Sequence, residues 1–336
     1  MKTIRKTLDI IQIANSLIKI KLFKKCCPLF MSWTITDSCS LKCTYCGFGQ
    51  SENGNNSVST HKALKIIDML HLMGVLYLQL TGGEPLLRDD IREIIEYCSI
   101  KGIHTSLNTS GNNLENHIDS IKKLDRIYFS LDGPKQVNDF IRGKGSYDIT
   151  LHAIEIAKKI PVKNIMITTV LTDTNIESLR YLLEFSKKND LRISFQPVTT
   201  FLLGTNKENP LKLSDKNLKK AMLFLINNKS FYRKNIAQTM QSLKFLYNYN
   251  DNPSIYCNSG LAFARIDVSG NIFLCDRGGH RNNISYDITD FVDSMKNSGH
   301  FFCRKCCARA KTIELNNLLA LNFNTIINYF YEFICF

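Results

Sequence analysis

The sequence is poor in the residues that would place it outside the ordinary globular class. It has only 7 prolines and 17 glycines in 336 residues, too few for an extended or disordered chain, and it has no repeat of fixed period. It also lacks a run long and apolar enough to cross a membrane, since residues 318–336 contain three asparagines and a glutamate. The N-terminus lacks an unbroken apolar core and a cleavage site, so we expect a cytoplasmic protein.

Acidic residues are scarce relative to basic ones. Lys and Arg number 43 and Asp and Glu 30, which gives a formal net charge of +13. Residues 1–30 alone carry seven bases and one acid. Because no aromatic residues alternate with these bases, the sequence does not point to nucleic acid. The excess of positive charge suits an acidic protein partner or the headgroups of anionic lipid.

Twelve cysteines are present, and in a reducing cytoplasm clustered cysteines indicate metal binding more often than disulfides. The first cluster, Cys39, Cys43 and Cys46, lies within eight positions. Most metal sites use four protein ligands, so this set is one ligand short. A second set lies near the C-terminus; its predicted ligands are Cys257, Cys275, Cys303 and Cys306, with Cys307 as the rival of Cys306.

Hydrophobic periodicity predicts alternating strands and helices between residues 31 and 200. The predicted strands are 31–37, 75–83, 103–111, 126–134, 163–172 and 191–198. The predicted helices are 60–74, 89–102, 114–124, 146–160 and 176–189. This order requires parallel pairing, so we predict an α/β fold, a partial (β/α)6 TIM-like barrel followed by a small C-terminal α+β domain.

Polar motifs follow the predicted strands at the point where each one ends. They include "TDSC" at 36–39, "TGGEP" at 81–85, "NTSG" at 108–111 and "SLDGP" at 130–134. In parallel barrels the carboxyl ends of the strands form the active-site face. We therefore expect these motifs and the first cysteine cluster to meet at one mouth of the barrel.

The C-x3-C-x2-C motif with Tyr45 before its last cysteine resembles the radical S-adenosylmethionine (SAM) superfamily. The resemblance continues with Gly82-Gly83-Glu84-Pro85 after the second strand and with "SLDGP…NDFIRGKGSY" at 130–147. It implies a [4Fe–4S] cluster on the three cysteines, with SAM on the fourth iron. It also implies reductive cleavage of SAM to a 5′-deoxyadenosyl radical, which abstracts hydrogen from a substrate.

The resemblance further implies which residues contact the cofactor. Gly82 and Gly83 let the backbone approach SAM, Glu84 supports their turn, and Tyr45 belongs to the cysteine motif. Strand-end candidates for binding SAM are Asn108, Ser110, Ser130 and Asp132, each of which could instead be a structural cap. Arg142 is either part of this site or a structural helix-end arginine. An alternative for the cysteines is a structural zinc knuckle that borrows His61.

The C-terminal cysteines resemble the SPASM module, or its shorter relative Twitch, which carries auxiliary clusters. Residues 257–275 predict a hairpin around Gly270 with a cysteine at each end. Too few cysteines follow Cys275 for a complete SPASM pattern, so Twitch fits better. The resemblance implies a second [4Fe–4S] cluster; structural zinc and no metal remain the alternatives.

The predicted domain boundaries follow from these motifs. They are an N-terminal basic amphipathic helix (1–30), the barrel (31–200), a helical linker (201–256), the auxiliary module (257–311) and a helical tail (312–336). In the first of these, Ile4, Leu8, Ile11, Ala14, Ile18 and Leu22 form one apolar stripe. This helix either docks on the protein or lies at a membrane surface as a peripheral contact.

Two classes of function are compatible with the sequence. The first is a radical SAM enzyme that receives electrons from an acidic donor such as flavodoxin or ferredoxin and acts on a peptide, a sugar-like metabolite or a lipid. The second is a non-catalytic iron–sulfur or zinc scaffold that retains the fold. The intact cysteine and glycine motifs favour the enzyme, because a scaffold needs no open iron.

Overall fold

A computed structural model of the chain contains the predicted alternation of strands and helices. It describes residues 2–23, 25–48, 56–202, 207–249, 257–273, 285–286 and 310–320. Its strands are β1 (Phe30–Thr36), β2 (Tyr77–Gly82), β3 (His104–Thr109), β4 (Arg126–Ser130), β5 (Ile165–Leu171), β6 (Arg192–Pro197), β7 (Phe263–Ile266), β8 (Ile272–Phe273) and β9 (Ser285–Tyr286). Its helices are α1 (Lys2–Phe23), α2 (Thr60–Leu72), α3 (Ile91–Ile100), α4 (Ile118–Ile121), α5 (Lys135–Arg142), α6 (Ser146–Lys158), α7 (Leu179–Lys188), α8 (Asp215–Asn228), α9 (Met240–Tyr247) and α10 (Ala310–Leu319).

The strands form one sheet in the order β6-β5-β4-β3-β2-β1-β7-β8-β9. The six strands predicted from the sequence are adjacent in chain order, and every pair among them is parallel. Parallel neighbours joined by helical crossovers are the geometry of an open (β/α) barrel. The predicted fold class is confirmed for this part of the chain.

The two faces of the sheet differ in polarity. One face carries fully buried apolar side chains, such as Trp33, Leu80 and Phe195, which join the helices in one apolar cluster. The opposite face carries mostly polar, half-buried side chains, although the strand registers also place Tyr128, Met166 and Val170 on it. These polar side chains are Ser32, Gln79, Ser106, Asn108, Ser130, Thr168, Ser194 and Gln196. The barrel therefore encloses a polar surface.

The predicted hairpin around Gly270 is present, and it extends the barrel sheet. Strand β7 pairs in parallel with β1, with Phe263 beside Phe30, and β8 pairs antiparallel with β7. The start of the predicted auxiliary module thus shares a sheet with the barrel. The other predicted ligands of that module, Cys275, Cys303 and Cys306, and the rival Cys307 lie outside the described residues.

Two local details differ from the prediction. The helix predicted over 114–124 is a 3₁₀ turn, Leu114–His117, followed by the single helical turn of α4. Helix α5 was not predicted, although Val137, Phe140 and Ile141 in its sequence "KQVNDFIR" have helical spacing. Its start carries one signal, since Pro134 occupies the N-cap position with φ near −63°.

Helix α1 docks across the amino-terminal ends of the strands, but not through its predicted stripe. The Asp9 carboxylate is 2.9 Å from His104 Nε2 at the start of β3, and Gln12 Nε2 donates to the carbonyl of Gly74 before β2. Ile20 is buried against Ala262 and Phe263 at the start of β7. The residues of the predicted stripe whose side chains are described all face outward. Within the described ranges, no helix has the length and apolar character needed to cross a membrane.

Candidate functional site

A loop that leaves the carboxyl end of β1 carries the first cysteine cluster. Cys43 is buried, Cys39 and Cys46 are partly buried, and none of the three forms a disulfide. The Cys46 amide donates to the Cys43 carbonyl at 3.0 Å, which folds the second half of the loop into a turn. The loop therefore presents three thiols at the predicted mouth of the barrel.

The glycine turn after β2 packs directly against this loop. The Gly83 amide donates to the Thr36 carbonyl at 2.8 Å, and the Glu84 amide donates to the Ser38 carbonyl at 2.7 Å. A Cβ atom would lie 2.2 Å from the Thr36 carbonyl oxygen at Gly82 and 2.0 Å from the Ser38 carbonyl oxygen at Gly83. Both positions must be glycine because the cysteine loop occupies that space. Contact between these glycines and SAM remains a prediction.

Glu84 holds the ends of β2 and β3 together. Its buried carboxylate accepts hydrogen bonds from the Thr109 hydroxyl at 2.7 Å, the Ser110 hydroxyl at 2.6 Å, and the amides of Ser110 and Leu86. Burial raises the pKa of this carboxyl, and the four hydrogen bonds oppose the rise. Glu84 thus links the glycine turn to the end of β3, and the Ser110 hydroxyl donates its hydrogen bond to Glu84.

Asp132 forms a buried ion pair beneath the cysteine loop. Its carboxylate accepts from Arg142 Nε at 2.7 Å, from the Val170 amide at 2.8 Å and from the Tyr45 hydroxyl at 3.3 Å. The Arg142 guanidinium lies 5.4 Å from the centre of the Tyr45 ring. Burial opposes the positive charge of Arg142, but Asp132 outweighs this effect and raises the pKa of Arg142 above its ordinary value. Asp132 and Arg142 are therefore arranged to position the loop, in keeping with the structural alternative for each.

Helix α5 and Asn209 provide further hydrogen bonds that hold the cysteine loop. The Thr44 amide donates to the Ile141 carbonyl at 2.8 Å, and the Cys43 thiol lies 3.8 Å from the Arg142 carbonyl oxygen. Asn209, which the sequence analysis missed, is buried and donates from Nδ2 to the Tyr45 carbonyl. Only its place before Pro210 marks it in the sequence, and that signal indicates a turn, not a site.

Asn108 and Ser130 lie on the polar face of the barrel, near the ends of β3 and β4. The Asn108 carbonyl oxygen accepts from Gln79 Nε2 of the neighbouring strand, and both Asn108 and Ser130 are half-buried. Of the four strand-end candidates, these two face the enclosed surface. The side chains of Ser110 and Asp132 instead form hydrogen bonds with other residues of the protein, Ser110 with Glu84 and Asp132 with Arg142.

The donor set of the loop fits an iron–sulfur cluster with one open iron. The ionisable side chains that affect the thiol pKa values of Cys39 and Cys43 are Arg142, Glu84, Asp132 and the other thiols of the loop. No histidine is among these side chains. Because both carboxylates are saturated by hydrogen bonds, neither is available as a fourth ligand. Among the described residues no three Cys, His, Asp or Glu side chains converge as the ligands of a single metal ion would. A four-iron cluster instead offers a separate iron to each thiolate.

Burial raises the pKa of the Cys39 thiol to about 11 and that of the Cys43 thiol to about 12. Both thiols must lose their protons to bind iron, so the metal itself would supply the charge that stabilises the thiolates. The zinc knuckle that borrows His61 receives no support, since His61 is an exposed residue in the first turn of α2.

Cys257 is the one predicted auxiliary ligand within the described residues. It is buried in a small apolar cluster with Ile20, Ala262 and Phe263, and Cys27 packs against the same cluster. Cys26, Cys27 and Cys98 form no disulfide, and Cys98 is a fully buried core residue. The ligand role of Cys257 remains a prediction.

Comparison with known proteins supports the assignment of the barrel. A profile of the radical SAM superfamily matches residues 33–186. Mycofactocin maturase MftC of Mycolicibacterium smegmatis is 30% identical over 156 residues, which are 45% of this chain and 40% of that protein. The AdoMet-dependent heme synthase of Methanosarcina barkeri is 31% identical over 169 residues, or 48% of each chain. The chain thus matches less than half the length of these curated relatives.

The fold extends the likeness beyond the barrel. SuiB of Streptococcus suis, in a crystal structure with bound S-adenosylmethionine, has a TM-score of 0.65 and 18% identity. The superposition covers 83% of this chain and 67% of SuiB, and a further SuiB structure holds the precursor peptide SuiA. Residues 33–186 contain strands β2 to β5 and most of β1, together with the cysteine loop and the glycine turn that packs on it. Over these residues the chain is similar to the radical SAM superfamily.

Proposed function

We propose that the protein is a radical SAM enzyme in which Cys39, Cys43 and Cys46 bind a [4Fe–4S] cluster. The proposal rests on the cysteine loop, whose three thiols are held close together at the barrel mouth. The two carboxylates near these thiols, Glu84 and Asp132, already accept hydrogen bonds within the protein, so neither is available as a fourth ligand. When bound, the cluster supplies the electron that cleaves SAM at the open iron, and the 5′-deoxyadenosyl radical abstracts hydrogen from the substrate.

The residues around the cysteine loop would hold the three thiols in a fixed position at the barrel mouth. Gly83 and Glu84 fix its first half through the Thr36 and Ser38 carbonyls, and α5 fixes its second half through Thr44. Asn108 and Ser130 face the enclosed surface, where their side chains would bind polar groups of SAM. Because the supports come from four strand ends, a cofactor would meet a preorganised site.

A polar substrate, and a peptide in particular, fits the barrel best. The half-buried face carries hydroxyl and amide side chains, which match the donors and acceptors of a peptide backbone and would leave an acyl chain unfavourably surrounded. The maturase among the relatives and the SuiB structure with a precursor peptide support the same class. A sugar-like metabolite is the second candidate, and the polar lining disfavours a lipid.

The same proposal includes an auxiliary cluster and an electron donor. Cys257, Cys275, Cys303 and Cys306 would bind a second [4Fe–4S] cluster, saturated by four thiolates and therefore unable to bind SAM. The net charge of +13 would favour encounter with an acidic donor such as flavodoxin or ferredoxin. Its rate of electron transfer should then fall as ionic strength rises.

The test is anaerobic reconstitution with iron and sulfide, followed by addition of SAM and dithionite and assay of 5′-deoxyadenosine. We expect turnover by the natural protein and background levels for Cys43→Ala. Cys98→Ala is the matched control, because it removes another buried cysteine, in α3, away from the loop. It should retain activity.

The alternative function, a scaffold without catalysis, predicts a different result. The reconstituted protein would hold iron on the same cysteines but form no 5′-deoxyadenosine. Activity that survives in the Cys43→Ala variant would show that the assigned ligands are wrong.

A further inference from the structure

Helix α1 has two apolar faces, and among the described residues only one of them packs against the rest of the protein. The docked face contains Ile20, which is buried, and Leu17, which packs against the same cluster. The opposite face carries large apolar side chains that are more than half exposed: Leu8 (59%), Ile11 (59%), Ile18 (52%) and Leu22 (70%). A helix that is apolar on both sides normally has a partner on both sides.

The apolar surface continues beyond α1 at the same end of the barrel. Helices α2 and α3 run antiparallel to the strands, so their C-terminal ends lie beside the amino-terminal ends of β2 and β3. There Leu72 is 78% exposed and Ile100 is 76% exposed. Of the 12 exposed large apolar residues identified among the described ones, five lie on α1 and these two lie close to its end of the barrel.

The charges around the outward face of α1 are positive. Lys19 and Lys21 are exposed and lie on either side of the apolar stripe, about 80° from its centre by helical spacing. The only acid of α1, Asp9, is buried and bonded to His104, so its charge is withdrawn from the outer surface. An apolar stripe with flanking lysines matches the acyl boundary and the phosphate layer of an anionic bilayer.

We propose that the outward face of α1, formed by Leu8, Ile11, Ile18 and Leu22 with Lys19 and Lys21, binds the surface of a membrane that contains anionic lipid. The helix would lie in the plane of the interface with its stripe among the upper acyl carbons. The protein would remain folded, because the docked face already contacts β3, β7 and the loop before β2.

This orientation also fixes where the barrel mouth points. The cysteine loop lies at the carboxyl ends of the strands and α1 lies at their amino-terminal ends, about 20 Å away for strands of five to seven residues. The mouth would therefore face away from the bilayer. Membrane binding would concentrate the protein at the surface and would not feed lipid into the barrel.

The experiment is co-sedimentation of the full chain with vesicles. One set contains 30% anionic phospholipid in phosphatidylcholine, and the other contains phosphatidylcholine alone. We expect binding to the anionic set that weakens as salt is added. Ile11→Gln with Ile18→Gln should reduce binding about tenfold or more, because two apolar side chains no longer insert. Glutamine retains helix propensity, so the thermal midpoint of unfolding should be unchanged.

Two further variants separate the contributions. Lys19→Gln with Lys21→Gln should weaken binding about fivefold per lysine and reduce its salt dependence. Leu223→Gln, on the exposed surface of α8 and of similar exposure (46%), is the matched control and should bind as the natural protein does.

The proposal is overturned if the natural protein does not sediment with anionic vesicles. It is also overturned if the variant with both isoleucine substitutions binds these vesicles as strongly as the natural protein. It is also overturned if analytical ultracentrifugation shows a dimer that the same variant dissociates while vesicle binding is absent. In that case the outward face would bind a second copy of the chain.

Discussion

The two ends of the barrel are built in opposite ways. At the carboxyl end, the cysteine loop is held by buried polar groups: the Glu84 carboxylate with its four donors and the Asp132–Arg142 ion pair. At the amino end, the described contacts of α1 are the apolar cluster around Ile20, the ion-pair network centred on His104, and the hydrogen bond from Gln12 to the Gly74 carbonyl.

This difference matches what each end has to do. Hydrogen bonds and ion pairs fix distance and angle, so they can hold three thiols in one geometry. Apolar packing tolerates small shifts, which suffices for a helix that closes one end of the barrel. Disruption of the carboxyl end should therefore remove metal from the cysteine loop, whereas disruption of the contacts that hold α1 at the amino end should lower stability and leave that metal in place.

The largest expected effect is at the Asp132–Arg142 ion pair. Arg142→Leu leaves a buried carboxylate without its counter-charge, which should cost about 3–5 kcal/mol of unfolding free energy. Iron bound to the loop cysteines should be lost as well. Urea unfolding and iron analysis measure the two effects. As a control, removal of the exposed Lys122–Asp119 pair should cost less than about 1 kcal/mol and leave iron unchanged.

Gly83→Ala should have the next largest effect. Its Cβ atom would overlap the Ser38 carbonyl oxygen, so the cysteine loop must move, at a cost of about 1–3 kcal/mol and with loss of loop iron. Gly102→Ala, at the amino end, is the comparison: the site has open space but a φ of +74° and should cost about 1–2 kcal/mol. Equal iron content in the two variants would contradict the proposed role of the glycine turn.

Cys257→Ala tests whether the amino end also holds metal. If Cys257 is an auxiliary ligand, iron should fall from about eight to about four atoms per chain. Formation of 5′-deoxyadenosine from SAM should persist, because the loop cysteines are intact. Iron near four in the natural reconstituted protein, with zinc bound, would contradict the auxiliary cluster and leave the barrel assignment unaffected.

The smallest effect should be the pH dependence at His104. Burial lowers the pKa of this imidazole, but the hydrogen bonds to Asp125 and Asp9 outweigh it, and the net pKa is raised above 6.5. Lys163 and His104 keep the Asp125 pKa well below its usual value despite burial, so Asp125 stays ionised near neutrality. The stabilisation from protonated His104 is complete below about pH 6.5 and is lost as pH rises through the raised pKa.

The measurement is the thermal midpoint of unfolding between pH 5.5 and 8.5. We expect the midpoint of the natural protein to fall as the pH rises across this range, because the protonated form of His104 is lost. His104→Gln should show a flatter profile, with iron bound to the loop unchanged. A profile as steep as that of the natural protein would mean that another group controls stability here.

Much of the barrel could be predicted because its signals are local. The helix predicted over 60–74 is present as α2, and the apolar residues that have helical spacing in it, Ala63, Ile66, Ile67 and Leu70, are all fully buried. The cysteine loop follows β1 as predicted, because the spacing of its cysteines is fixed by the covalent chain. Helix α5 was missed although Val137, Phe140 and Ile141 have helical spacing, because its eight residues are shorter than the window over which helical periodicity is assessed.

The sequence by itself determined the strands, most helices and the residues of the cysteine loop, since these depend on periodicity and spacing over a few residues. Only the tertiary structure decided that Asp132 is bonded to Val170, 38 residues away, that β7 lies beside β1, and which face of α1 docks. Both faces of α1 are apolar, so hydrophobicity alone does not choose between them. The choice depends on what the barrel end offers, a histidine for Asp9 and an apolar pocket for Ile20, and those groups come from strands distant in the chain.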